Sequence, residues 1–138
     1  MIKYVIDGTQ IIDSSSLCDE FARAVNAPNG YFGKDLQSVD DCLFGGCGLE
    51  TPCEIVWQAS AVTRGHLGSA ALLSHCQKLL DESAELETAS FKEGKDWVVS
   101  SIEKARAGEL TLFDVFVDSI RSVEERSQGE RKIVLRLE

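Results

Sequence analysis

Asn29-Gly30-Tyr31-Phe32-Gly33-Lys34-Asp35-Leu36-Gln37-Ser38-Val39-Asp40-Asp41-Cys42-Leu43-Phe44-Gly45 is the stretch on which the fold turns. Pro28-Asn29-Gly30 cannot continue a helix, so a loop should carry Tyr31, Phe32 and Gly33 toward a helical segment from Asp35 to Phe44, which Gly45-Gly46 should end. At about 100° per residue, Leu36, Val39 and Leu43 share one side and form a buried stripe. Asp41 falls roughly opposite, beside Gln37 and Ser38, and should face solvent. Asp35 and Asp40 take the two shoulders. Phe44, also on a shoulder, should be a partly exposed aromatic beside carboxylates, a composition suited to a protein interface.

Upstream, Ile2 to Ile6 is a β-forming run closed by Asp7-Gly8, which predicts a strand and a turn. Ser14-Ser15-Ser16 offers capping oxygens, and Leu17, Phe21 and Val25 recur every four residues, predicting a helix to about Ala27. Downstream, Glu54 to Trp57 reads as a second strand, and Leu72, Cys76, Leu79 and Leu80 give an apolar stripe on a helix of about Ser69 to Glu85. Glu82 to Lys95 lacks an apolar face and reads mostly as exposed connection, with a short helix in Asp96 to Ala107 presenting Trp97 and Ile102. Thr111-Leu-Phe-Asp starts the clearest helical stripe, Phe113, Phe116, Val117 and Ile120, which Gly129 closes before a final Ile133-Val134-Leu135 strand. Trp57 and Trp97 read as core residues. Strands separated by helices pair in parallel through crossovers, so the expected fold is α/β, a small three-stranded parallel sheet packed against helices.

At 138 residues the chain suffices for one hydrophobic core and one domain. Fourteen Lys and Arg against 23 Asp and Glu give a formal charge of −9, which makes nucleic acid and anionic membranes poor partners and a basic protein a natural one. The charge is also local: Asp35 to Thr63 holds Asp35, Asp40, Asp41, Glu50 and Glu54 and no Lys or Arg. No apolar run approaches a membrane span and the N-terminus lacks a signal-peptide pattern, so a cytoplasmic location is expected. Five irregularly spaced cysteines argue for reduced thiols that fill the core, Cys42 among them.

Several chemistries fit poorly. Adjacent exposed carboxylates do not supply the separated environments of acid–base catalysis. Cys42, Cys47, Cys53, His66, His75 and Cys76 lack the paired spacing of a zinc site, and His75 and Cys76 diverge by about 100° on a helix, wrong for a nucleophile and its base. Gly45-Gly46-Cys47-Gly48 follows a helix instead of opening one, so it should terminate a helix and not cradle phosphate. No catalytic residue, metal or cofactor is expected.

The quoted stretch resembles the loop and second helix of barstar-like ribonuclease inhibitors, in which an aromatic turn precedes a Leu-rich helix ending in Asp-Cys-Leu and then Gly. The Asp-Gly-Thr-Gln-Ile that follows the first strand, the capped first helix, Glu54-Ile-Val-Trp57 and the closing helix and strand are similar too. The resemblance implies one barstar-like domain over residues 1–138 with an inserted helical segment at about 61–110, before the last helix. It also implies a one-to-one complex with a basic ribonuclease or ribonuclease toxin, the chain serving as an immunity protein whose carboxylate stands in for substrate phosphate. Asp41 then matches the family's central aspartate and Tyr31 an interface tyrosine, with Asp35, Gln37, Ser38, Asp40, Phe44 and Gly45 in the same contact surface. Gln37 replaces an acidic residue of the family, Asp40 an aromatic one and Asp35 an amide, so charge is redistributed around Asp41. An acidic contact on the last helix would fall to Glu124 or Glu125. The alternative is an interaction module of the same fold that binds a non-nuclease partner through the inserted region.

Overall fold

The computed structural model describes the backbone of residues 1–83 and 89–138 and the side chains of residues 1–82 and 96–138. Strands β1 (Ile2–Asp7), β2 (Cys53–Gln58) and β3 (Ile133–Leu137) form one sheet in the order β1-β2-β3, parallel throughout. The expected α/β class and sheet are therefore observed. The register sets Tyr4, Ile55 and Leu135 abreast and Ile6, Trp57 and Leu137 abreast. Residues alternate faces along a strand, so these and Cys53 line the core side while Glu54 and Arg136, an ion pair at 3.5 Å, lie on the other.

The β1–β2 crossover contains α1 (Ser14–Val25) and α2 (Leu36–Leu43), and the β2–β3 crossover contains α3 (Ser60–His66), α4 (Ser69–Ser83), α5 (Ala89–Arg106), α6 (Leu112–Arg121) and α7 (Val123–Arg126). Trp57, fully buried, is the keystone. The rings of Phe21 from α1 and Phe113 from α6 meet it edge-on at 5.5 and 5.2 Å, and Phe32 stacks on Phe21 at 5.5 Å. Such contacts add to the burial of large apolar area. The Trp57 indole N–H donates to Thr63 Oγ1 at 3.1 Å, and that hydroxyl donates to the Gly8 carbonyl at 2.9 Å, so no polar atom here is left without a partner. Gly8 is required for this approach, because a Cβ there would lie 2.7 Å from Thr63 Oγ1.

Several boundaries differ from expectation. Asp13, not Ser14 to Ser16, caps α1: its carboxylate accepts from Ser16 N–H at 2.8 Å while Ser16 Oγ accepts from Asp13 N–H at 3.0 Å. α3 was not foreseen. The expected connection from Glu82 to Lys95 is helical from Ala89 onward, where the helix propensity of Ala, Lys and Glu prevails without an apolar face; residues 84–88 lie outside the described residues. The expected short helix over Asp96 to Ala107 is thus the second half of α5. Trp97 is 43% exposed on it instead of in the core, whereas Val98 and Ala105 turn inward. The last helix breaks at Ser122 into α6 and α7.

The α4–α5 pair leaves and rejoins the body at one place. Leu112 N–H donates to Gly68 O at 3.2 Å, Phe113 N–H to Leu67 O at 2.9 Å, and Ser69 Oγ to Leu110 O at 2.8 Å. Leu72 and Cys76 of α4 are fully buried and tie the pair to the core.

Candidate functional site

α2 is built to be presented. Asp35 caps it by the same device as Asp13: its carboxylate accepts from Ser38 N–H at 2.9 Å and from Ser38 Oγ at 2.7 Å, while that oxygen accepts from Asp35 N–H at 3.1 Å. The Ser38 hydroxyl, ahead of its backbone N–H, holds the Asp35 carboxyl below the usual aspartate range. Val39, Cys42 and Leu43 are buried, and Leu36 packs partly against the core. The helix therefore rests on the stripe its spacing suggests. Gln37 and Asp41 are exposed, and Tyr31 and Phe44 are 48% and 37% exposed.

The chain turns back sharply after Phe44. Gly45 and Gly46 have φ of 120° and 87°, values that favour glycine, and Gly45 N–H donates to Cys42 O at 3.2 Å. This ends the helix as the glycines predict. It also brings Cys47 back to Cys42, with a Cα separation of 5.3 Å, and the two form a disulfide. The expectation of reduced thiols fails for this pair, because a turn of two glycines gives cysteines five apart a bridging geometry that a helix alone would deny. Cys18, Cys53 and Cys76 are free and buried, and burial pushes the Cys18 and Cys53 thiols up to about 11, so they are inert packing groups.

The Asp35 to Thr63 interval, without a base of its own, is served by three arginines five residues apart in the C-terminal limb. The Arg126 guanidinium is bidentate on Asp40, Nη1 to Oδ2 at 2.8 Å and Nη2 to Oδ1 at 2.6 Å, and lies over the Phe44 ring at 5.0 Å. Arg131 donates from Nε to Leu43 O at 3.0 Å and from Nη2 to Leu49 O at 3.2 Å, which holds the turn after α2. Arg136 pairs with Glu54. Among the described residues none forms a hydrogen bond or ion pair with the Asp41 carboxylate. Its charge is left facing water between two exposed aromatics in sequence, Tyr31 and Phe44.

The eight residues singled out from the sequence thus have distinct placements. Asp35 and Ser38 close the capping box, Asp40 is engaged by Arg126, Gly45 makes the turn, and Tyr31, Gln37, Asp41 and Phe44 present their side chains outward. Glu124 and Glu125 are exposed on α7, the helix that carries Arg126. Sequence reasoning missed Arg126 and Arg131. The only signal available to it was the acidic interval's lack of bases, which required bases from elsewhere. An open cavity of about 770 Å³ adjoins the site, with Asp35, Gln37 and Asp40 on one wall and His75, Trp97 and Lys104 on another. Burial depresses the pKa of His75 against the pull of Asp35. Among the described residues no three His, Cys, Asp or Glu side chains gather to hold a metal, and no helix is long and apolar enough to cross a membrane.

A family model described as Barstar (barnase inhibitor) matches residues 1–92, which contain β1, α1, α2, β2, α3 and α4. No curated protein matches the chain.

Proposed function

The chain belongs to the barstar (barnase inhibitor) family, whose members are inhibitors and not enzymes, and from that premise we propose that it silences a basic ribonuclease one-to-one by placing α2 and its preceding loop in the active site. The observation that carries this reading is the Asp41 carboxylate, exposed and unpaired on a helix whose other acids are already engaged. A ribonuclease cleft is lined with cations that hold phosphate. A carboxylate set among them makes charge-assisted hydrogen bonds and uses electrostatics evolved for substrate. Tyr31 and Phe44, exposed on either side of it in the sequence, offer rigid aromatic area of the kind an interface centre uses.

The net charge of −9 favours fast encounter with a basic partner. We read the chain as a single domain with an inserted helical segment at about residues 61–110, acting as an immunity protein in the cytoplasm of its host. A reducing cytoplasm would open Cys42–Cys47, yet the turn keeps the two Arg131 bonds to its carbonyls.

Titration of the purified chain into a barnase RNA-cleavage assay tests the reading, with the ribonuclease encoded beside this chain, where there is one, as a second probe. Activity should fall to zero at one equivalent and return when Asp41→Ala replaces the parent. Cleavage that persists with the parent, or is blocked equally by Asp41→Ala, refutes it. A second reading, docking of a non-nuclease protein, is favoured by Trp97 alone, 43% exposed beside the cavity. It predicts that Trp97→Ala, and not Asp41→Ala, abolishes capture.

A further inference from the structure

Arg126 engages four of the five N–H groups of a guanidinium within the chain: Nε–H on Ser122 Oγ at 2.9 Å, Nη1 on one Asp40 oxygen, and Nη2 on the other and on Ser119 O at 2.8 Å. Its face lies over Phe44, and its side chain is 39% exposed against 27% for Asp40. Residue 126 is thus joined to two residues of the site, on either side of Asp41 in the sequence, and to the α6–α7 break as well. Both partners are 80 residues or more away in the chain, so the contact is tertiary and not helical bookkeeping.

We propose that Arg126 is the positioning residue of the inhibitory site: it fixes the last turn of α2 and Phe44 against α7 and withholds Asp40 from the partner, so that Asp41 alone enters the nuclease's cation cluster. The proposal rests on the inhibitor reading and specifies how that site works. A nuclease cation cannot claim Asp40 without displacing a bidentate guanidinium, whereas Asp41 has no such competitor. Preset geometry of this kind lowers the ordering cost of binding and acts chiefly on dissociation.

Stopped-flow association and dissociation with barnase, for Asp40→Asn, Arg126→Gln, Arg126→Lys and the Asp40→Asn/Arg126→Gln double variant, with melting temperatures alongside, tests it. Asp40→Asn and Arg126→Gln should each raise the dissociation rate about tenfold, the double variant no more than either, and Arg126→Lys, which keeps charge but loses the bidentate fork, should recover only part. A faster dissociation for Asp40→Asn with none for Arg126→Gln would make residue 40 a direct contact and overturn the proposal. So would unchanged dissociation with lowered melting temperatures, the mark of a role in stability alone. If the folded parent binds neither barnase nor the ribonuclease encoded beside it, the inhibitor reading falls and this proposal with it, an outcome distinct from binding that ignores Arg126.

Discussion

α1 and α2 begin alike and end differently. Each opens on an aspartate whose carboxylate is bonded by the N–H and Oγ of a serine three residues on, Asp13 with Ser16 and Asp35 with Ser38, and each carries an exposed aspartate six residues past its cap, Asp19 and Asp41. In α1 the neighbouring acid, Glu20, is buried and settled close by, accepting from Arg23 of the same helix, Nε at 2.6 Å and Nη2 at 2.7 Å, and from Asp7 N–H at the end of β1 at 2.6 Å. In α2 the neighbouring acid, Asp40, is settled by Arg126 from the far end of the chain. The first helix is closed upon its own body. The second is a short platform on which Tyr31, Phe44 and the remaining carboxylate are exposed. Identical helix starts, each leaving one exposed aspartate that no described residue pairs, therefore say nothing of role; what differs is what surrounds that charge.

The contrast should appear first in stability. Phe21→Ala, which removes α1's ring from between Trp57 and Phe32, should cost about 3–5 kcal/mol in chemical denaturation, whereas Asp41→Ala should leave the midpoint unchanged. In binding the order reverses. Asp41→Ala should lose at least about 2 kcal/mol, roughly thirtyfold in the affinity for barnase, because it leaves the partner's cations desolvated and unpaired, while Asp19→Ala should bind as the parent does. That threshold was drawn in part from the type pair of this family. Equal losses at residues 19 and 41 would dissolve the distinction between the helices. Asp13→Ala and Asp35→Ala should each lower stability by about 1 kcal/mol, with Asn retaining most of it, if both act as caps.

The smallest effect is one of pH. Hydrogen bonds from Ser16 and Ser38 lower the carboxyls of Asp13 and Asp35, so their contribution is present above the unfolded aspartate pKa of about 3.9 and is lost as pH falls through the lowered folded values. Burial likewise lowers His75, so the unfolded chain binds its proton first and stability declines as pH falls below about 6.5. Melting temperatures across pH 8 to 3 should show a shallow decline setting in below about 6.5 that His75→Gln removes and an acid limb that Asp13→Asn with Asp35→Asn flattens.

How much of this was legible in the sequence follows from the range of each interaction. The strands, α1, α2 and α6 rest on local periodicity, and so does the outward direction of Asp41, which a helical wheel over eight residues gives without knowledge of the rest. The Asp35 cap is equally local, since Asp-x-x-Ser is written in the chain, although its carboxylate was read only as a contact. The partner of Asp40 was not legible, because 86 residues separate it from Arg126 and no periodicity spans that distance. Cys42–Cys47 was not legible for another reason: the irregular spacing of five cysteines argues for reduced thiols, and only the positive-φ turn at Gly45 and Gly46 returns Cys47 to Cys42. Trp97 was misplaced because its size suggested burial, whereas Val98 beside it takes the inward position.

The bonds joining Leu67 and Gly68 to Leu112 and Phe113 make a seam across which chain can be exchanged. Since the two ends are already neighbours, whatever lies between them can be lengthened, shortened or recruited from another source without disturbing how β2 reaches β3, provided Leu72 and Cys76 find equivalents. The scaffold can thus evolve new reach at that seam while the face bearing residue 41 stays as it is.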